Sequence, residues 1–536
     1  MSFAAGRSCT ALLAGLLILS SGCSRPAAKP AADSKATEAA SAGEKQTSEH
    51  MLDSALHQLQ PENLGIDSDL ESAVSMLNSW RLLAEANPAV PPVPEVDDLP
   101  KNFLNAELLA TLGEKKYTPM DAMYIRMCIL ARAVAGYVSD RSDDDLRRVV
   151  LLFEYVCRNV ALNDDPVSAP PLFPYDILLS GRGTASDRAW VFSNLLKQWR
   201  IDAVIIRPED AGGDEDAWLM GVPVGGEVYL FDLMLGLPIP AESAPTEAHP
   251  RQPATLKTIV EHPEWLAALS ARTDQPYRLD AEQLKSPRIE IMSDLPSWSQ
   301  RMWELEQVLP GEKLCVLYDA LVESTTQPGL IQRLESAGVP RPVSGWTLWS
   351  HPLITLIRQQ QMPQQDLMKM MNDVHMPFMV PFTYEVDKET GQPQLGPAEK
   401  QQLRVRTSQL LGQFQEATTG FLAIRMLGLK PFPEPTRQQI HQIAADDAFY
   451  WSAVGKYELG EYVEAADALA DYSRRIATRQ RWQPAARQLL AWSLADQGKY
   501  DEAIKALARP IADDPYRPAN AVLARRWAAL AETANK

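Results

Sequence analysis

Two glycines, an apolar helical face and a β-branched run follow one another almost without a gap in GRGTASDRAWVFSNLLKQWRIDAVIIRP, residues 181–208. No other stretch restricts the fold so far. Ala189, Phe192, Leu195, Leu196 and Trp199 recur at three- and four-residue steps, the period of a helix that buries one face. Ser186 and Asp187 stand at its start and read as its cap. Residues 202–207, DAVIIR, are rich in β-branched side chains and predict a core strand packed back on that helix. Beyond the acidic loop PEDAGGDED, residues 218–224 and 227–233 flank Gly225-Gly226, the pattern of a two-stranded hairpin.

This order of glycine turn, helix, strand and hairpin resembles the core of the transglutaminase-like family, a papain-type fold. Members carry a glycine, a spacer and the catalytic cysteine at the head of the helix. An acidic residue stands two further on, paired leucines follow ten residues after the cysteine, and isoleucine and alanine open the strand. Asp187, Leu195, Leu196, Ile201 and Ala203 fall on those positions. The resemblance then sets Ala185 at the cysteine, Asp216, Ala217 and Trp218 on the family's His-Ala-Trp, and Asp232 on its acidic triad member.

A cysteine at a helix N-terminus works because the dipole and an imidazolium hold it as thiolate while a third residue orients the ring. The methyl of Ala185 does none of this. The histidines are His50, His57, His249, His262, His351, His375 and His441, all outside residues 181–233. The expectation is a catalytically degenerate core whose work is binding or scaffolding. The competing expectation is a hydrolase or transamidase. It would use Ser186 with a histidine from elsewhere, His249 or His262, or else Asp216 and Asp232 as an acid–base pair.

The N-terminus, MSFAAGRSCTALLAGLLILSSGCSRP, sets a basic Arg7, an apolar run and small residues ahead of Cys23, a secretory leader of lipoprotein type. It resembles the bacterial lipobox in Ser21-Gly22-Cys23, with Ser20 in place of the usual leucine. Residues 1–22 are thus expected to be removed and Cys23 lipidated. That tethers the chain to a membrane in an extracytoplasmic space, the outer membrane in a Gram-negative host. Past the leader no segment stands out as a span of ~18 apolar residues. A formal charge of −17, with no Lys/Arg stripe, argues against nucleic acid as a partner. Cys128, Cys157 and Cys315 are widely spaced among apolar neighbours and read as buried thiols rather than a disulfide framework or a zinc site.

Residues 23–50, rich in Ala, Ser, Lys and Glu, read as a disordered tether. Residues 51–140 read as helical, the clearest helix having Thr118 as cap and Pro119 in its first turn. Ser142 and Asp145 open the helix that leads into the core, residues 141–250. Residues 251–433 read as mostly helical, with helices near 298–309, 314–321 and 403–427. In residues 434–536, Gly460, Tyr462, Glu464, Ala465, Ala468 and Leu469 recur as Gly498, Tyr500, Glu502, Ala503, Ala506 and Leu507, an offset of 38.

That repeat resembles the tetratricopeptide pattern, whose usual period is ~34. The resemblance implies a helical stack that contacts a protein or peptide, with Tyr462 and Tyr500 as contact residues. His375, with Met362, Met368, Met370, Met371, Met376 and Met379 near it, offers donors of the kind Cu(I) takes. Methionines at helical spacing read as core filling instead, and no metal or cofactor is expected. The fold class that results is α+β, mostly helical: a small mixed core, flanking helices and a C-terminal helical stack.

Overall fold

Gly181 lies at φ +67°, where a helix ends, and a Cβ there would meet the Asn159 carbonyl oxygen at 3.1 Å and Arg406 Nη2 at 3.0 Å. The left-handed backbone and the close approach both demand glycine. Two residues on, a Cβ at Gly183 would meet Asp187 Cβ at 2.8 Å. The glycine turn is therefore a point of tight packing, and the chain is built outward from it.

The computed structural model describes residues 34–63, 70–84, 104, 106–139, 142–163, 165, 169–209, 217–242, 244–271, 276–309, 311, 314–320, 328–382, 384–387, 390–391, 393–395, 399–428, 434–475 and 481–534. The leader, Cys23 and Asp216 lie outside them. Ser48–Lys536 form one compact unit and Met1–Thr47 another; the packing below is that of the first. With 62% helix and 8% strand, the chain is of the mostly helical α+β class.

Four helices open the described chain, α1 (Ser34–Leu59), α2 (Leu70–Ala84), α3 (Ala106–Gly113) and α4 (Pro119–Ser139). The first begins inside the stretch expected to be a disordered tether. Thr118 starts α4 as expected, its hydroxyl bonding Asp121 Oδ2 at 2.8 Å. At 21 residues and mean hydropathy 1.2, α4 is long and apolar enough to cross a membrane, although none of the chain past the leader was expected to be. Its window is 67% buried, because one face enters the main core through Met127, Leu130 and Val134. The other packs with Leu56, Trp80, Leu305 and Leu317 in a second core. A helix apolar all round is what such a sandwich requires.

Next come α5 (Asp145–Asn159), β1 (Ala161–Leu162), α6 (Pro174–Ser180), β2 (Arg182–Gly183), α7 (Ala185–Lys197) and β3 (Val204–Pro208). The cap of α5 is Asp144, which lies between the two expected residues, Ser142 and Asp145, with its carboxylate accepting the Leu146 N–H. Buried side chains surround α7 instead of lining one face: besides Phe192, Leu195 and Leu196 it buries Asp187, Arg188, Trp190 and Asn194. Phe192 meets Phe153 of α5 edge-on at 5.7 Å and Phe231 at 5.8 Å, which locks helix to helix to sheet.

The hairpin forms as expected from β4 (Leu219–Val224) and β5 (Glu227–Asp232), joined by Gly225 and Gly226 at φ +61° and +86°. After β6 (Leu237–Pro238) the middle region departs from the sequence reading. Its β7 (Pro287–Ile291) pairs antiparallel with β3, and its β8 (Thr347–Leu348) pairs parallel with β7. The sheet runs β6-β5-β4-β3-β7-β8, so two of its strands come from beyond residue 250. Helix α8 (Gln300–Val308) is where expected, but residues 314–320 are extended, with the Leu317 and Tyr318 N–H groups both bonded to Glu306 at 2.7 Å.

Helices α9 (His351–Gln361) and α10 (Gln364–His375) follow one another on the flank of the core. Met368 is 58% exposed and fills no core, whereas Met371, Met376 and Met379 are half-buried against it. The single expected helix over 403–427 is two, α11 (Gln401–Leu410) and α12 (Phe414–Gly428), broken at Gly412 with φ +81°. The C-terminal stack is α13 (Pro435–Glu458), α14 (Tyr462–Arg475), α15 (Gln483–Asp496), α16 (Tyr500–Leu507) and α17 (Arg517–Ala534). Its repeated glycines, Gly460 and Gly498, end α13 and α15 at φ +78° and +75°.

One hydrophobic cluster runs from Leu104 to Leu530, so the stack shares the core of the sheet. Two buried arginines carry the join. Arg188 of α7 donates to the carbonyls of Val160 (2.7 Å), Leu233 (3.0 Å) and Cys157 (3.2 Å) and to the Tyr516 hydroxyl (3.2 Å). Arg406 donates to Leu178 and Leu179 carbonyls and lies 4.4 Å over the Trp451 ring. Replacing Arg188 with Met is expected to lower stability by at least about 3 kcal/mol, because several buried carbonyls lose their donor at once. Urea unfolding measures it, and a loss within error of zero would remove Arg188 from the join.

Candidate functional site

The head of α7 is closed by its own residues. Thr184, not Ser186 with Asp187, is the cap: its hydroxyl accepts the Asp187 N–H at 3.1 Å while Asp187 Oδ2 accepts the Thr184 N–H at 2.8 Å. Ala185 is nearly buried at the position the resemblance gives to a cysteine, and Ser186 is half-buried in the first turn. A histidine does reach this turn, though neither of those expected. His351, the first residue of α9, sets its Nε2 2.9 Å from Asp187 Oδ1. It stacks on Trp349 (5.1 Å, 28°) and meets Trp190 edge-on (5.7 Å, 86°). No spacing in the sequence points to this contact, since the partners are 164 residues apart.

Asp232 ends β5 and is fully buried. Its Oδ1 accepts the N–H groups of Met234 and Leu235, each at 2.9 Å, and its Oδ2 accepts the Tyr277 hydroxyl at 2.6 Å and Arg278 Nη1 at 2.8 Å. Arg278 also donates to the Trp218 carbonyl at 3.0 Å. Both oxygens are occupied by groups that hold the turn after β5 and the segment around residue 277. A carboxylate so engaged neither orients an imidazole nor relays a proton. Asp216, its expected acid–base partner, lies outside the described residues.

Three other histidines are held by neighbouring side chains. His249 pairs with Asp496 at 3.1 Å and meets Trp492 edge-on. Burial works against the Asp496 charge, but bonds from His249 and from the Tyr457 hydroxyl (2.5 Å) outweigh it and hold the carboxyl below its usual range. His262 stacks on Trp265 at 4.5 Å and bonds Glu264. His375 bonds Asp176 Oδ1 at 2.9 Å, which with His351 and Asp187 ties the start of α9 and the end of α10 to the core. Among the described residues no three His, Cys, Asp or Glu side chains gather as a metal site.

A thiol does lie near α7. Cys157 is buried on α5; burial pushes it up to about 11, against the opposing charge of Arg188. Cys128 is pushed up to about 12 by burial. Neither is a thiolate at neutral pH, so neither offers a ready nucleophile.

Two hollows flank these elements. A polar one of about 130 Å³ lies between core and stack, lined by Glu154, Arg158, Arg251, Trp492 and Tyr462, the last an expected protein-contact residue. Tyr500 is half-buried against the core. An apolar one of about 80 Å³ lies between α4, α7 and α9 and includes Trp190, Trp349 and Asn194. The chain matches no family model, no curated protein and no solved structure.

The folded protein is expected to resist alkylation of Cys128 and Cys157 by iodoacetamide at pH 8 and to react at both on unfolding in denaturant. Mass spectrometry of the labelled peptides reads this directly. Because the folded state favours the neutral thiols, their contribution to stability is complete below the unfolded thiol range, ~8.5, and falls as pH rises toward 11. Fast labelling of native protein at pH 8 would reopen a cysteine mechanism.

Proposed function

We propose that the chain is a membrane-tethered extracytoplasmic lipoprotein whose transglutaminase-like core has kept the fold elements and lost the chemistry, and that it acts by binding or scaffolding. The observation that carries this reading is the state of the triad positions. Ala185 offers a methyl group, and Asp232 is fully buried with both oxygens bonded to the groups that hold its own turn. The tetratricopeptide-like stack supports it in a second way. Its last helix reaches across to the core, with Trp527 Nε1 donating to the Ala248 carbonyl at 2.9 Å and Arg526 Nε to Glu247 at 2.8 Å. Stack and core thus form one rigid platform, on which Tyr462 at the polar hollow is the residue proposed for protein contact.

The hydrolase or transamidase reading draws on His351, a histidine from outside the core that reaches the head of α7. Its Nε2 is engaged by Asp187, however, and Asp187 is held in turn by the cap. Purified protein is expected to show no turnover of amide or ester substrates and no difference between wild type and Ser186→Ala. Turnover that disappears in Ser186→Ala or His351→Ala would sink the non-catalytic reading. In cells, the chain is expected in the membrane fraction and Cys23→Ala in the soluble fraction. Crosslinks to neighbouring proteins are expected to weaken in Tyr462→Ala at unchanged thermal stability; equal crosslinking would place protein contact elsewhere.

A further inference from the structure

Between α4, α7 and α9 lies a hollow whose wall is apolar and whose one charge is unmet. In space open to the centres of water molecules it holds about 80 Å³, several times the ~10–15 Å³ that one water needs in that measure. Trp190, Trp349 and Phe173 supply ring surface, and Met123 and Met127 supply thioethers. Flat rings and polarizable sulfurs suit an aromatic body. Both indoles are braced, since His351, held by Asp187, stacks on Trp349 and meets Trp190 edge-on. The turn that the resemblance gives to a nucleophile therefore supports the wall of a pocket.

Asp294 sets the charge of the guest. Among the described residues it is the one acid on the wall of the hollow, and no Lys, Arg or His joins it there. Asp294 is 9% exposed, and its Oδ1 accepts Trp190 Nε1 at 2.6 Å. Its Oδ2 has no partner among the described residues, yet it keeps accessible surface. A smaller hollow adjoins, sharing Trp190, Asp294 and Trp349, and is lined further by Asp202, Asp319 and Lys197. There Asp202 and Asp319 share Arg333, at 2.8 and 2.7 Å, while Lys197 gives its Nζ to the Tyr124 hydroxyl at 2.8 Å. Asp294 is thus the carboxylate left without a cation. A buried charge in that state is costly, and a cationic guest relieves the cost. A carboxylate oxygen only accepts, so the guest brings an N–H together with its charge. The indole faces beside it favour a cation as well. We infer, on the strength of the binding reading above, that the hollow takes a small primary arylalkylamine as its ammonium ion. The ring lies among the indoles and thioethers, and the ammonium meets Asp294 Oδ2.

The test is titration calorimetry of the full chain at pH 7.5 with three probes, benzylamine, benzyl alcohol and methylamine. Benzylamine, a cation at that pH, is expected to bind. Benzyl alcohol keeps its shape without the charge and methylamine keeps the charge without the ring, and each is expected to bind at least tenfold more weakly. In Asp294→Asn, which retains an oxygen to accept the Trp190 N–H, the preference for benzylamine over benzyl alcohol is expected to vanish. In Leu353→Trp, at the half-buried edge of the hollow, benzylamine binding is expected to disappear with circular dichroism unchanged. The assignment is overturned by absence of benzylamine binding or by equally tight binding of benzyl alcohol or methylamine. A preference that survives Asp294→Asn, or binding that persists in Leu353→Trp, overturns it too. Failure here leaves the non-catalytic reading standing, because that one fails only on turnover.

Discussion

Arg188 is the point at which the fold closes. Its guanidinium reaches the C-terminal turn of α5, the turn after β5 and the hydroxyl of Tyr516, and so ties together three segments that the shared apolar core brings close. Its acceptors are the ends of structural elements, where carbonyls lack partners of their own. An arginine suits this task better than a lysine, because a planar fork of fixed donors satisfies several oxygens at once. Arg406 does the same on the other side of the glycine turn. It saturates carbonyls at the end of α6 while its face covers Trp451, and burial pulls its own pKa down to about 10. Sheet, glycine turn and helical stack are joined by these two cations rather than by apolar contact alone.

The same logic governs Asp232 and Asp187. Asp232 is saturated by two backbone N–H groups, a phenol and a guanidinium, while Asp187 is divided between its own cap and His351. Groups that catalysis would leave partly free are built into turns and helix ends. Burial supports this from another direction by raising the thiols of Cys128 and Cys157.

Much of the fold was legible because it follows from local rules. The helix at Ala189 to Leu196, the strand beside it, the Gly225-Gly226 hairpin and the repeated Gly460 and Gly498 turns all declare themselves by periodicity or by left-handed glycine. The errors share a cause as well. Residues 314–320 look helical in composition but form no helix, and the Glu306 carboxylate takes the Leu317 and Tyr318 N–H groups. Met368 shares the spacing of core residues yet is exposed, on a pair of helices tied down by His351 and His375. In each case a contact beyond the reach of the local pattern overrides the local preference.

The sequence by itself determined the order of the elements around the glycine turn and the mostly helical class, since each depends on residue type and spacing within a short window. The tertiary structure alone decided that the sheet draws β7 and β8 from the middle region, that the stack shares its core, and that His351 reaches Asp187. It also decided that an apolar pocket opens beside Asn194. These contacts join residues from more than fifty to more than three hundred positions apart, and no local pattern encodes which distant carbonyl or carboxylate a buried arginine or histidine will meet.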